Sequence, residues 1–235
     1  MNVLAIGCHP DDLELSCYGT LAKYVKQGHK VITLHIANGN LGHVEIMPPE
    51  LAGIRNKEAE AAAGLIGAEA ISLNVGDIQV DASNQKTISE VASVVRYAKP
   101  DLIITHNPDD YMQDHTETSR LAFNASFAAS LPHFGKQNET ACGPMPIFYM
   151  DTLAGLNFVP TEYVDITEEI EVKLQAVAKH ASQIKWMADH DGIDFLEFVQ
   201  ACNRGRGCQC GVKYAEGFRP AQHYLRMTTK RLLPV

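Results

Sequence analysis

Along the first hundred residues, short apolar runs alternate with segments whose apolar positions recur at helical spacing, the pattern that writes a parallel α/β sheet. Strands are expected over 3–8, 31–36, 70–75 and 102–105. Between them, helices are expected over 14–27 and 50–66, with Gly28 and Gly67 placed as C-caps. Thr87-Ile88-Ser89-Glu90 reads as a capping box that opens a helix running to Ala98, and Pro100 prevents it continuing. Further along, the pattern predicts a helix over 116–130 and a Pro- and Gly-rich stretch over 131–146, long enough for a lid or an assembly surface. Strands follow over 147–153 and 163–166, then a helix over 168–180 with apolar spacing at Ile170, Leu174 and Val177. The last fifty residues carry no clear period. No repeat, low-complexity tract or linker interrupts the chain, so residues 1–235 are expected to form a single domain of α/β class, a mostly parallel sheet with helices on both faces.

Composition narrows the partners. Hydrophobic residues make up 46% and charged residues 20% of the 235, which suits a soluble globular chain. Twenty Lys and Arg against 28 Asp and Glu leave a net charge of −8, which argues against nucleic acid or an anionic membrane as the main partner. No apolar stretch approaches the ~20 residues of a membrane helix. The first strand begins almost at Met1, with no basic and apolar leader before it, so a cytoplasmic location is expected. Six cysteines, Cys8, Cys17, Cys142, Cys202, Cys208 and Cys210, are then read as thiols rather than a disulfide framework.

Two polar clusters fall in loops after strands, where open α/β sheets bind ligands. After the first strand the chain reads Gly7-Cys8-His9-Pro10-Asp11-Asp12-Leu13-Glu14, and after the fourth His106-Asn107-Pro108-Asp109-Asp110-Tyr111, then Asp114-His115. In the common doubly wound order the first and fourth strands are neighbours at the switch point, which brings His9 and His115 together. Two histidines and a carboxylate with an open position are the ligand pattern of a catalytic zinc, which lowers the pKa of its water to about 7. Asp12 can turn with His9 toward such a metal and leave Asp11 to take a proton. The plainer use of Asp11 and Asp12 is to favour the positive N-terminus of the following helix.

His9-Pro10-Asp11-Asp12-Leu13-Glu14 resembles the His-Pro-Asp-Asp-x-Glu signature of the zinc-dependent N-deacetylases of the PIG-L/LmbE-like family. Asp114-His115, after Asp109-Asp110-Tyr111, resembles that family's second metal motif. Arg55 with Glu58, Asp77, the His180-x-Ser182-Gln183 run and Tyr214-Ala215-Glu216-x-Phe218-Arg219 are further matches, so the likeness spans nearly the whole chain. The resemblance implies a Rossmann-like domain holding one zinc, or another divalent metal, through His9, Asp12 and His115. It also implies Asp11 as general base and Arg55 as a substrate contact. The activity implied is hydrolysis of the acetyl group from a small N-acetylated amino sugar of GlcNAc type or its conjugate. From the residues alone, Arg55 and Glu58 at i, i+3 also suit a surface ion pair. Asp77, after Gly76, suits either a sugar hydroxyl or ordinary turn chemistry.

One position departs from the family. Many members carry a second histidine three residues before the metal-binding one, as an acid or oxyanion partner; here that position is Met112, which can do neither job. His106, Tyr111 and His223 are the candidates to replace it, with Asp114 to orient an imidazole. The plainer reading of each lone histidine is a satisfied loop or core residue. The gap keeps open a non-catalytic or altered-activity sugar-binding relative. A dinucleotide-binding domain, which the alternating pattern also suits, lacks its Gly-x-Gly-x-x-Gly after any strand. Cys202, Cys208 and Cys210 lack the spacing of a zinc site. Arg204-Gly205-Arg206-Gly207 reads as a flexible cationic loop, able to take a phosphate or carboxylate. Specificity is expected in loops such as 131–146, and a homo-oligomer is compatible with a soluble enzyme of this size.

Overall fold

The computed structural model describes residues 1–136 and 138–235; Gln137, inside the expected 131–146 loop, lies outside the described residues. The four apolar runs of the first half become β1 (Asn2–Gly7), β2 (Lys30–Ala37), β3 (Glu69–Val75) and β4 (Leu102–Thr105). With β5 (Ile147–Met150), β6 (Glu162–Asp165) and β7 (Ala215–Pro220) they form one sheet in the order β3-β2-β1-β4-β5-β7-β6. The first five of these positions are parallel to one another, and β7 runs antiparallel between β5 and β6.

Helices α1 (Asp12–Ser16), α2 (Tyr18–Lys26), α3 (Pro48–Gly64), α4 (Gln85–Ala98), α5 (Gln113–Ala128), α6 (Ile170–Val177), α7 (Ala181–Trp186) and α8 (Phe195–Cys210) cover both faces. The two-residue period of β1 feeds both cores. Leu4, Ile6 and Cys8 pack with Val91 and Val95 of α4 and Leu121 and Ala125 of α5. Val3 and Ala5 pack on the other side with Leu21 and Tyr24 of α2 and Ile170 of α6. A strand buried on both faces has no polar side, which is why 3–8 reads as a continuous apolar run.

Several boundaries differ from expectation, each for a local reason. The helix expected over 14–27 is broken at Cys17, because the N–H groups of Gly19 and Thr20 donate to the Glu216 carboxylate at 2.9 and 2.7 Å. Glu216 is paired with Lys173 Nζ at 2.5 Å, with neither side chain exposed, so α2 begins on a buried anion that satisfies its free amides. Helix α4 begins a turn earlier than the Thr87 box, since Asn84 accepts from the N–H groups of Lys86 and Thr87, and asparagine is the stronger cap. The helix expected over 168–180 ends at Val177, just before His180, which is fully buried 3.5 Å from the Glu14 carboxylate.

The Arg204–Gly207 run, expected as a flexible loop, lies inside α8. Arg206 grips Asp151 with Nη2 to Oδ1 at 2.9 Å, and Arg204 donates to the Lys213 carbonyl at 2.8 Å, so this pair is engaged by the protein itself. A Cβ at Gly207 would overlap the same carbonyl, which explains a glycine in mid-helix. Cys202, Cys208 and Cys210 also lie on α8 and carry free thiols. Among the described residues no helix is long and apolar enough to cross a membrane.

Candidate active site

Because β1 and β4 are paired, the loops that leave them meet at the carboxyl edge of the sheet. Asp12 stands at the centre. Its Oδ2 lies 3.5 Å from His9 Nδ1 and 3.2 Å from His106 Nε2, and its Oδ1 lies 3.3 Å from His115 Nε2. The rings of His9 and His115 are 5.4 Å apart, centroid to centroid. Two overlapping groups have ligand atoms within metal-binding reach of one another, Asp12 with His106 and His115, and Cys8 with His9 and Asp12.

An outer ring of carboxylates orients the imidazoles. Asp110 Oδ2 lies 3.3 Å from His115 Nδ1, and Asp114 Oδ2 lies 3.3 Å from His9 Nε2 while accepting the Ile78 N–H at 2.8 Å. Such carboxylate–histidine pairs fix ring orientation and raise ligand basicity in metal sites. Asp110 was not among the expected site residues; the available signal was a carboxylate placed five residues before a candidate ligand histidine in the same loop.

The donor set fits a divalent cation. Burial alone would raise the Asp12 carboxyl, but His115 and His106 outweigh it and hold the group well below the ordinary carboxylate range. Burial likewise opposes charge on His115, yet Asp12 and Asp110 push its pKa up to about 10. Without a metal, then, the carboxylates demand positive charge at the point where the imidazoles converge. His115 Nε2 is buried there without a hydrogen-bond partner among the described residues, and so is Asp114 Oδ1. Two imidazoles and a carboxylate beside an open cavity are a zinc-type ligand set.

Asp11 is held differently. Its φ is +126°, a conformation that costs a non-glycine residue of order 1–3 kcal/mol. The strained turn is clamped by Arg55, whose Nη2 donates to the Pro10 carbonyl and lies 3.1 Å from Asp11 Oδ1. Arg55 Nη1 donates to the Gly39 carbonyl at 3.2 Å, and a side chain at Gly39 would collide with the guanidinium. Burial, only partly offset by Arg55, pushes the Asp11 carboxyl from its ordinary 3.8 to about 6.

The remaining expected residues take distinct places. Arg55, expected to touch substrate, lines the cavity over the cluster but is buried, and it donates to the Pro10 and Gly39 carbonyls. Its expected alternative pair with Glu58 does not form; Glu58 accepts from Ser182 N and Oγ at 2.9 and 2.6 Å, tying α3 to α7. Asp77 accepts the N–H groups of Gly39 and Leu41 at 2.8 and 2.9 Å, so its carboxylate organises that loop. His106 accepts the Cys8 N–H through Nε2 at 2.9 Å and stacks on His115 at 4.0 Å. Burial, followed by His115, holds its pKa down to about 4, which leaves no imidazolium to serve as an acid at neutral pH. His223 packs edge-on against Phe123 and lines a separate cavity, so it does not join the cluster.

A cavity of about 500 Å³ opens over the cluster, lined by His9, Asp11, Asp12, Asp114 and His115 and by Tyr111, Met112, Gln183 and Trp186. None of the described residues of the 131–146 loop lines it; the walls come from loops after β2 and β3 and from a π-helical turn, Met187–Asp191, after α7. That loop is instead tied to α4, where Arg96 donates to the Ala129 and Leu131 carbonyls at 3.1 and 2.8 Å.

The family described as PIG-L, GlcNAc-PI de-N-acetylase, matches residues 4–126. Similar proteins include the diacetylchitobiose deacetylase of Thermococcus kodakarensis, 29% identical over 93% of this chain and 82% of that protein. The 4-oxalmesaconate hydratase of Pseudomonas putida is 24% identical over 93% of this chain and 88% of its own length. Among solved structures, the N,N'-diacetylchitobiose deacetylase of Pyrococcus horikoshii superposes with a TM-score of 0.80 at 28% identity, covering 93% of this chain and 83% of that one.

Proposed function

The chain belongs to the PIG-L family, and from that premise we propose that it is a zinc-dependent N-deacetylase that removes acetyl from an N-acetylated amino sugar of GlcNAc type or its conjugate. The observation that carries the reading is one carboxylate, Asp12, within reach of three imidazoles, beside a buried Asp11 whose proton affinity is tuned close to neutrality. The deacetylase relatives support it; the hydratase among the relatives means that the fold alone does not decide the reaction.

His9, Asp12 and His115 would hold the metal. A divalent cation there supplies Lewis-acid polarisation of the amide carbonyl and a lowered pKa for the attacking water. Asp114 and Asp110 hold the two imidazoles with their remaining nitrogens engaged, so the ligand set stays aimed when the cavity fills. Asp11 takes the proton of the attacking water. With Met112 in place of a second histidine, Asp11 also returns that proton to the departing amine, a double duty suited to a carboxyl near 6. Arg55 keeps the carboxylate in its strained orientation across both proton transfers.

The test is metal analysis together with amine release from a panel of N-acetylated sugars. Asp11→Asn should retain zinc and lose about 10²–10⁴ in turnover, whereas His115→Ala should lose the metal. An Asp11→Asn protein as fast as the parent refutes the base assignment. Zinc bound with no amine released from any acetylated sugar favours the sugar-binding alternative that Met112 keeps open.

A further inference from the structure

The mouth of the cavity is more apolar than a site for a free sugar requires. Leu41, Ile78 and Tyr111 stand on its rim at 49, 72 and 69% exposure, with Leu153, Trp186 and Met187 beside them. Exposed apolar groups gathered around a cleft mark a binding surface rather than random exposure. Ile78 is the telling residue. Its φ is +65°, a left-handed conformation that glycine adopts freely and a β-branched residue adopts only under strain. Its N–H is held by Asp114, so the strain is locked to the site, while its side chain adds nothing to either core.

The charges of the cavity complete the picture. Five aspartates line it, Asp11, Asp12, Asp77, Asp114 and Asp191. The arginine among the described lining residues, Arg55, is buried against the Pro10 and Gly39 carbonyls and Asp11, and no lysine is among them. With His9 and His115 committed to the metal in the loaded protein, a phosphate or carboxylate on the substrate would enter a cavity rich in aspartates, whose described lining arginine is already paired.

We propose that the substrate is an uncharged N-acetylated amino sugar bearing an apolar aglycone, which packs on Leu41, Ile78, Tyr111 and Trp186. This rests on the deacetylase reading above for the reaction, but not for the binding preference. Burying one methylene is worth about a fourfold gain in affinity, so even a partly buried hexyl chain gives tenfold or more.

Two readouts test it on the zinc-loaded protein. First, kcat/KM from amine release is compared for N-acetylglucosamine, its hexyl β-glycoside and its 6-phosphate; the hexyl glycoside should exceed the parent sugar about tenfold or more, and the 6-phosphate should fall below it. Second, Trp186, the chain's single tryptophan, reports occupancy by its fluorescence without turnover. Hexyl β-glucosaminide should bind with a Kd about tenfold or more below that of glucosamine. Ile78→Gly, which suits the left-handed backbone, should cut that ratio about threefold or more. No amine from any sugar, with the fluorescence preference intact, refutes the reaction and upholds the pocket. Equal Kd values, tighter binding of the 6-phosphate, or no spectral response to the hexyl glycoside overturns the inference whatever the activity.

Discussion

The pressure that burial places on Asp11 has a measurable consequence for stability. Its carboxyl sits at about 6 in the fold against 3.8 ordinarily, because burial outweighs the attraction of Arg55. At about 1.4 kcal/mol for each tenfold change in proton affinity, the gap corresponds to about 3 kcal/mol against folding whenever Asp11 is ionised. The sign follows from linkage. A carboxyl whose pKa is raised by folding binds protons more readily in the native state, so this deficit is fully present above pH 6. It is recovered as pH falls from 6 toward 3.8. Asp11→Asn imitates the protonated form, retains an acceptor for Arg55, and removes the deficit at every pH. Urea unfolding of the chelator-treated proteins should therefore show the variant more stable by about 3 kcal/mol at pH 7.5, with the difference shrinking toward zero near pH 4. A variant no more stable than the parent at pH 7.5, or an advantage that persists unchanged at pH 4, refutes the reasoning.

Two further substitutions probe the groups around the site. Lys173→Met leaves the Glu216 carboxylate buried with only the α2 amides for company, and should cost about 3–5 kcal/mol in urea unfolding; a loss under 1 kcal/mol would show that those amides suffice. Asp110→Asn weakens the hold on His115 Nδ1 and should lower zinc affinity about 10–100-fold in a chelator competition, against no change if Asp110 merely caps its loop.

What the chain discloses in one dimension is its strands and the two polar loops that carry the candidate site. Leu102–Thr105 and the run before His9 are buried on both faces, so continuous apolarity marks them, and the Gly28 and Gly67 stops stand at φ +81 and +73°. The second half is less legible because β7 inserts between β5 and β6 by pairing with segments some 50–70 positions away, a choice made by tertiary contact rather than by local period. The site divides in the same way. Asp12, His9 and His115 are legible because motif and strand order bring them together. The hydrogen bonds of Arg55 and Asp77 are not, since both side chains bind the Gly39–Leu41 loop, which nothing in their spacing reveals. The neutral state of His106 is equally hidden, since it follows from burial and from the His115 ring stacked on it, which its place in the chain does not reveal.

That junction also sets a timetable. His9 and His115 are separated by more than a hundred positions, and translation at about 5–20 residues per second parts their synthesis by roughly 5–20 s. Until β4 docks beside β1, the nascent chain offers a passing cation only the first loop, with its thiol, one imidazole and a carboxylate. If the chain holds the proposed metal, durable capture of the ion would report that the central strands have met, and its release during unfolding would mark their parting.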